Sequence, residues 1–321
     1  MLRFITVRLV GGVVTLLLVT VLVFASTEVL PGDAARAILG QEATPTTVKQ
    51  LRDRLGLDRP AVSRYISWLE HAVKLDFGDS IVQGTGLSGT GTVRGTPVTA
   101  LISPRLGKTA ILAAVTLAVL VPISLLVGIA TGLYRESPAD SATQILMLIL
   151  ISLPEFVLGA VLALLFGVAW PILPAVSFDA SPRALVLPVA TLTGVSIAYT
   201  SRFIRAGVSE VARTDYVAMA HMKGLSKRRI IRKHILPNAL GPSLQAFALV
   251  IAYLAGGVVV VEYLFAYPGI GQGIVSAIAS RDVPTIQAYT LLIAVVYVFA
   301  NLGADLLTVL LNPRVRRARS R

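Results

Sequence analysis

The chain has 321 residues, of which 55% are hydrophobic and 14% are charged, and its mean hydropathy is +0.77. A soluble domain carries about 25% charged residues, so the composition points away from a soluble fold and toward a bilayer-embedded one. The net charge of +12 sits beside apolar runs without interleaved aromatics for base stacking, which argues against nucleic acid, and the lack of cysteine excludes disulfides and thiolate metal sites.

A helix rises 1.5 Å per residue, so about 20 apolar residues cross ~30 Å of hydrocarbon. Six segments meet that length, which predicts an all-α polytopic membrane protein. The first lies between Arg8 and Glu28 and is uncharged from Leu9 to Thr27. A signal peptide is the alternative, but the apolar run exceeds the usual ~7–15 residues and no convincing cleavage site follows, so a retained anchor over residues 1–30 is expected. Residues 31–105 carry mixed charges and two candidate short helices. In the first of these, Thr46 or Thr47 would cap and Gly56 would stop the helix. The second places Val62, Ile66 and Leu69 on one face, with Tyr65 and Trp68 suited to a membrane interface. A Gly/Ser/Thr-rich connector, "QGTGLSGTGTVRGTP", follows.

The remaining five spans form a core over 106–311. They are predicted at Thr109–Tyr134, Ser141–Val168, Ala184–Ser201, Gly241–Glu262 and Thr285–Leu311. Lysine and arginine decide orientation. Residues 208–240 and the tail 312–321 are strongly basic and belong in the cytoplasm. Six spans then place both termini there, and 31–105 outside.

The basic loop has an internal logic. Asp215 to His221 fits a short helix, with Thr214 as cap and the acid at the positive end of the dipole. Gly224 ends it in a left-handed turn. Ser226 starts a second helix with Ile231 and Ile235 on one face, and Pro237 kinks the entry to the fifth span. Such an elbow can pass force from a partner into the membrane. Cations snorkelling onto anionic lipid account equally well for Lys227, Arg228, Arg229, Arg232 and Lys233.

Other polar groups are less specific. Glu155, Asn301 and Asp305 fall at or near lipid depth, where they either line a pathway or hydrogen-bond between helices. Pro122 and Pro154 are candidate helix breaks, and Glu262 is expected at the outer interface. Arg281 and Asp282 either meet an extracytoplasmic protein or cap the sixth span. "GKT" at 107–109 lacks the first glycine of a P-loop, which would fall at Ile102, and Gly269, Gly271 and Gly273 have no preceding strand, so neither is a nucleotide site. His71, His221 and His234 lack metal-ligand spacing.

The loop "DYVAMAHMKGLSKRRIIRKHILPNAL" resembles that of ATP-binding-cassette importer permeases, whose pattern is EAA, three residues, Gly, nine residues, Ile-x-Leu-Pro. Ala220, Gly224, Leu236 and Pro237 fall in register, whereas Ala218, Met219 and His234 depart from it in the manner of the dipeptide/oligopeptide/nickel branch. "LPGDAARAILG", "DFGDS", "YPGIGQGIVSAIASRDVPTIQA" and "ADLLTVLLNPRVR" are similar to segments of that branch in the same order. The resemblance implies a type I importer permease fold in a prokaryotic plasma (inner) membrane. It implies a non-catalytic subunit that pairs with a second permease, couples to two ATPase subunits and receives solute from an extracytoplasmic binding protein. No cofactor is then bound by this chain, ATP and Mg lying on the partners. Asp215, Tyr216, Ala220, Lys223, Gly224, Leu225, Leu236 and Pro237 become the ATPase-coupling positions, and di- or oligopeptides the expected cargo. The rival is a stand-alone secondary transporter or channel, for which inverted repeats are expected and none is evident.

Overall fold

The computed structural model describes residues 2–29, 59–80, 93–178 and 181–311, with isolated positions between 44 and 87. The helices are α1 (Leu2–Val29), α2 (Ala61–Val73), α3 (Val98–Leu133), α4 (Pro138–Ser152), α5 (Glu155–Leu162), α6 (Pro182–Ala212), α7 (Asp215–Met222), α8 (Lys227–Ile230), α9 (Leu236–Leu264), α10 (Ile270–Ala279) and α11 (Val283–Leu311). A two-residue hairpin, β1 (Gly86–Leu87) with β2 (Val93–Arg94), precedes α3. Wider π-helical turns continue α5 over Ala163–Ala169 and join α8 to α9 over Ile231–Ile235. The candidate first short helix near residues 46–56 and the tail 312–321 lie largely or wholly outside the described residues.

Among the described residues four helices are long and apolar enough to cross a bilayer: Thr6–Thr27 of α1, α3, α6, and Val283–Leu306 of α11. The pair α4–α5 makes a fifth if counted as one span, and the 29-residue α9 stands where the fifth span was expected. The candidate break at Pro154 is present: within Ser141–Val168, α4 and the helix after it are bent by 107° at Leu153–Pro154. Pro154 has no N–H to donate and holds Leu153 extended (ψ 128°), so the ladder stops there. Pro122, by contrast, lies within an unbroken α3. The helix that carries the second predicted span starts ahead of it, at Val98, so the last residues of the 31–105 segment are helical. The charges at Arg105 and Lys108 made the run look shorter, but the Arg105 guanidinium is satisfied by the Gly269 carbonyl (3.3 Å) and by Gln272.

The chain forms two compact units. One comprises residues 1–9, 108–268 and 299–321. Its main core joins Leu112 and Leu120 of α3, Met147 of α4, Leu187, Leu192 and Ala198 of α6, and Val258 and Val261 of α9 with Phe265 and Tyr267. Glu262, near the end of α9, is fully buried and accepts from the Thr109 hydroxyl at 2.6 Å. The Tyr267 hydroxyl donates to the Lys108 carbonyl at 2.8 Å. Burial, and then the Glu262 carboxylate, push that phenol up to about 12.

Further along the same unit, α3 crosses α6 at close range. A Cβ on Gly128 would lie 2.6 Å from the Ile204 side chain, and one on Gly132 2.8 Å from Val208. The stretch 128–132, "GIATG", has the small-xxx-small spacing that lets two apolar helices meet backbone to side chain.

The second unit comprises residues 10–107 and 269–298. Val98 and Ile102 at the start of α3 pack with Phe77, Ile270 and Ala277 of α10, and Ala288 and Tyr289 of α11. The buried Ser80 hydroxyl donates to the Asp282 carboxylate, which also accepts from Thr285 at 2.7 Å at the entry to α11. Gln287 of α11 donates to Thr27 of α1 at 2.7 Å.

Candidate functional site

The loop 213–237 folds into an elbow of two short helices and a π turn. Thr214 is extended (φ −74°, ψ 149°) at the start of α7, but its hydroxyl donates back to the Val211 carbonyl (2.7 Å) and does not cap the helix. Ser226 likewise stands at the start of α8 without a side-chain cap. The exit from α7 is more tightly specified. Gly224 has φ +73°; its N–H donates to the His221 carbonyl (2.9 Å), and that of Leu225 reaches the Ala220 carbonyl (3.3 Å). This pair of bonds is a Schellman motif, which closes the orphan carbonyls of a helix end and needs a left-handed residue at the position of Gly224. Leu225 and Ala220 share one apolar cluster, the contact that accompanies the motif.

Pro237 acts differently from the expected kink. The π turn Ile231–Ile235 comes first, and Pro237 falls in the opening turn of α9. A proline ring crowds the carbonyl four residues before it, and a wider turn relieves that crowding. The Asn238 amide and the Tyr216 hydroxyl both donate to the His234 carbonyl, at 2.8 and 3.3 Å, tying α7 to the turn.

The elbow has two faces. Val217, Ala220, Ile230, Ile235 and Ala239 are buried with Ile204 and Val208 of α6, and Leu125, Ile129 and Leu133 of α3 pack around them. Tyr216, Met219, Met222 and Lys223 face outward, with Met222 75% exposed. The cations at 227–229, 232 and 233 are exposed as well. The inner side of α7 is thus packed on α6 and its outer ridge is largely apolar.

Beside this elbow is a site that the spacing of spans does not reveal. Arg205 of α6 makes a two-pronged ion pair with the buried Asp140 of α4, Nε to Oδ1 at 2.9 Å and Nη2 to Oδ2 at 2.7 Å. Asp140 also accepts from the Glu136 N–H at 3.0 Å, Ser137 accepts from the Asp140 N–H at 3.1 Å, and Arg135 donates to Ser209 at 3.0 Å. The sequence signal was "SPAD" at 137–140, a capping-box pattern opening α4. Arg205 gives its own hint, as a cation flanked by Ile204 and Ala206 near the end of an apolar helix.

The remaining predicted positions separate. Asp305 pairs with Arg8 of α1 at 3.0 Å. Asn301 is half-buried on α11. Glu155 begins α5 directly after the break, has Tyr253 of α9 as a hydrogen-bonding neighbour and abuts Gly257, while its Oε1 is buried without a partner. Arg281 is exposed with φ +55°, whereas Asp282 is buried and engaged internally.

Comparison with known proteins gives this geometry its context. The sequence matches the family described as "Binding-protein-dependent transport system inner membrane component" over residues 124–317, and the corresponding N-terminal family over 1–113. A Brucella abortus (strain 2308) protein provisionally named a peptide transport system permease is 33% identical over 316 residues, covering 96% of this chain and 97% of its own. The glutathione transport system permease protein GsiC of Salmonella choleraesuis is 34% identical over 316 residues, covering 98% and 99%. A solved structure described as an amino acid ABC transporter with histidines superposes with a TM-score of 0.51 at 19% identity, over 67% of this chain and 94% of that one, which bears on the fold alone. Family membership replaces the stand-alone transporter reading, because a subunit of a binding-protein-dependent system works with an ATPase and a binding protein. The chain belongs to the inner-membrane permeases of binding-protein-dependent ATP-binding-cassette importers, as a multi-pass, non-catalytic transport subunit.

Proposed function

We propose that this permease carries peptide-type solutes, and that α7 is the element by which ATPase subunits drive it. In this reading two permeases, this chain and a homologous second one, enclose the pathway. Six spans place both termini in the cytoplasm, and two ATPase subunits grip the elbows from that side. ATP and Mg remain on those subunits, and this chain binds no cofactor. Residues 1–30 are the anchor, 31–105 the extracytoplasmic segment and 312–321 a cytoplasmic tail.

The observation that carries the proposal is the two-faced α7: Val217 and Ala220 buried against α6, and Tyr216, Met219, Met222 and Lys223 left outside. Asp215 would sit at the positive end of the helix dipole. Leu225, Leu236 and Pro237 would hold the exit at a fixed angle. Moving a two-state permease from 1:99 to 99:1 takes about 5.5 kcal/mol of differential binding, which ATP-driven closure of the partner pair supplies. Peptide cargo rests on the names of the relatives, and Glu155 is the pathway candidate, while Asp305 serves as an interhelical partner of Arg8. Of the outer pair, Arg281 is the candidate contact for the binding protein.

The test is cross-linking. Met222→Cys, in a chain that has no native cysteine, should cross-link to a cysteine placed in the groove of the co-expressed ATPase, and Val217→Cys should not. Cross-links from position 217 with none from 222 would overturn the assigned docking face.

A further inference from the structure

We propose that α2 lies in the membrane interface, with its stripe of Val62, Ile66 and Val73 seated on the acyl chains of the leaflet at the C-terminal end of α1. The inference takes α1 as a span and is independent of the cargo. On a helical projection Val62, Ile66 and Val73 fall within about 40° of one another. They are 70%, 50% and 78% exposed, a continuous apolar ridge that no other element among the described residues covers.

Two further faces of α2 fix its posture. Tyr65 and Trp68 project about 60° to 120° to one side of the ridge and pack on α1. The Tyr65 hydroxyl is 2.8 Å from that of Thr20, and the Phe24 ring lies 5.5 Å from Tyr65 and 6.2 Å from Trp68. Ser63, Ser67 and His71 project about 100° to 180° to the other side and are exposed. A helix lying flat beside an upright one must show one face to its neighbour, one to water and one to lipid, and α2 has these three faces in that order.

Depth identifies the occupant. The uncharged run of α1 ends at Thr27. Thr20 is about 10 Å below that point along the helix axis and Phe24 about 4–5 Å, the depth at which interfacial amphipathic helices bury their apolar faces. A ridge held at that level meets acyl chains, and the aromatic pair takes the belt position that Tyr and Trp favour. Turning α2 over would put Ser63, Ser67, Glu70 and His71 into hydrocarbon instead.

The absence of cysteine allows a direct measurement. Single variants Val62→Cys, Ile66→Cys and Val73→Cys, and Ser63→Cys, Ser67→Cys and His71→Cys, are spin-labelled in the full chain reconstituted in phosphatidylethanolamine/phosphatidylglycerol bilayers. Collision with oxygen should exceed collision with a water-soluble nickel chelate several-fold at 62, 66 and 73, and the reverse should hold at 63, 67 and 71. Nickel access at the ridge, or shielding from both reagents as under a protein partner, would overturn the proposal. A second measurement avoids labelling: in the Trp170→Phe protein, Trp68 fluorescence should be quenched by lipids with brominated chains, and undiminished emission would count against it.

Discussion

At the level of single residues, Gly224 is the position where chemistry leaves least choice. A Cβ built there meets nothing within 4 Å, so a side chain is not excluded by space. The cost is conformational, about 1–2 kcal/mol for an ordinary residue held left-handed, and higher for a β-branched one. Gly224→Val should therefore abolish coupled uptake with the protein still inserted, Gly224→Ala should weaken it, and Gly224→Asn should retain most of it; uptake normalised to the amount of membrane protein reads the series. The Arg205–Asp140 pair follows a different rule. Removing one member leaves a buried charge, worth about 3–5 kcal/mol, so Arg205→Ala should lower the thermal midpoint of the purified chain. The double change Asp140→Leu with Arg205→Met should lower it less than either single change. Gly224 and Ala220 were legible in the sequence because a helix stop and a fixed spacing to Leu236–Pro237 are local properties. Asp140 with Arg205 was not, because the partners are 65 residues apart and nothing local pairs them.

Among the elements, α6 is the shaft. Its far end carries Ile204 and Val208, which receive the inner face of α7, and the same two side chains fill the notch made by Gly128 and Gly132 on α3. One step along, Arg205 grips α4. In the proposed reading a push on α7 would reach three helices within about one turn. Gly132→Val should force this crossing apart, at about 1–3 kcal/mol for an overpacked contact, and uncouple solute-stimulated ATP hydrolysis from uptake; a variant with wild-type coupling would show that the close crossing is dispensable. Apolar length alone located the helices but not their true ends, and proline alone did not tell the break at Pro154 from the unbroken helix at Pro122. Charge at Arg105 and Lys108 concealed the first turns of α3, and the single Pro154 converted a run that reads as one span into two helices at 107°. The π turn before Pro237 was equally hidden, since a widened turn and a kink relieve the same steric conflict and leave the same sequence trace.

For the molecule as a whole, the account is of a passive transmission. Family membership supplies the need for an external source of energy, and in the proposed reading the elbow is the place where it would enter. Several membrane-crossing helices were legible as a pattern of apolar length, whereas the division into two compact units depends on distant segments meeting and leaves no trace in periodicity. The most direct measurement is solute accumulation in proteoliposomes. The assembled complex, given binding protein and supplied with ATP on the ATPase side, is compared with the same complex carrying Gly224→Val and with this chain alone. The account predicts uphill accumulation of labelled peptide by the intact complex only. Accumulation by the chain alone, or unimpaired accumulation by the Gly224→Val complex, would contradict it.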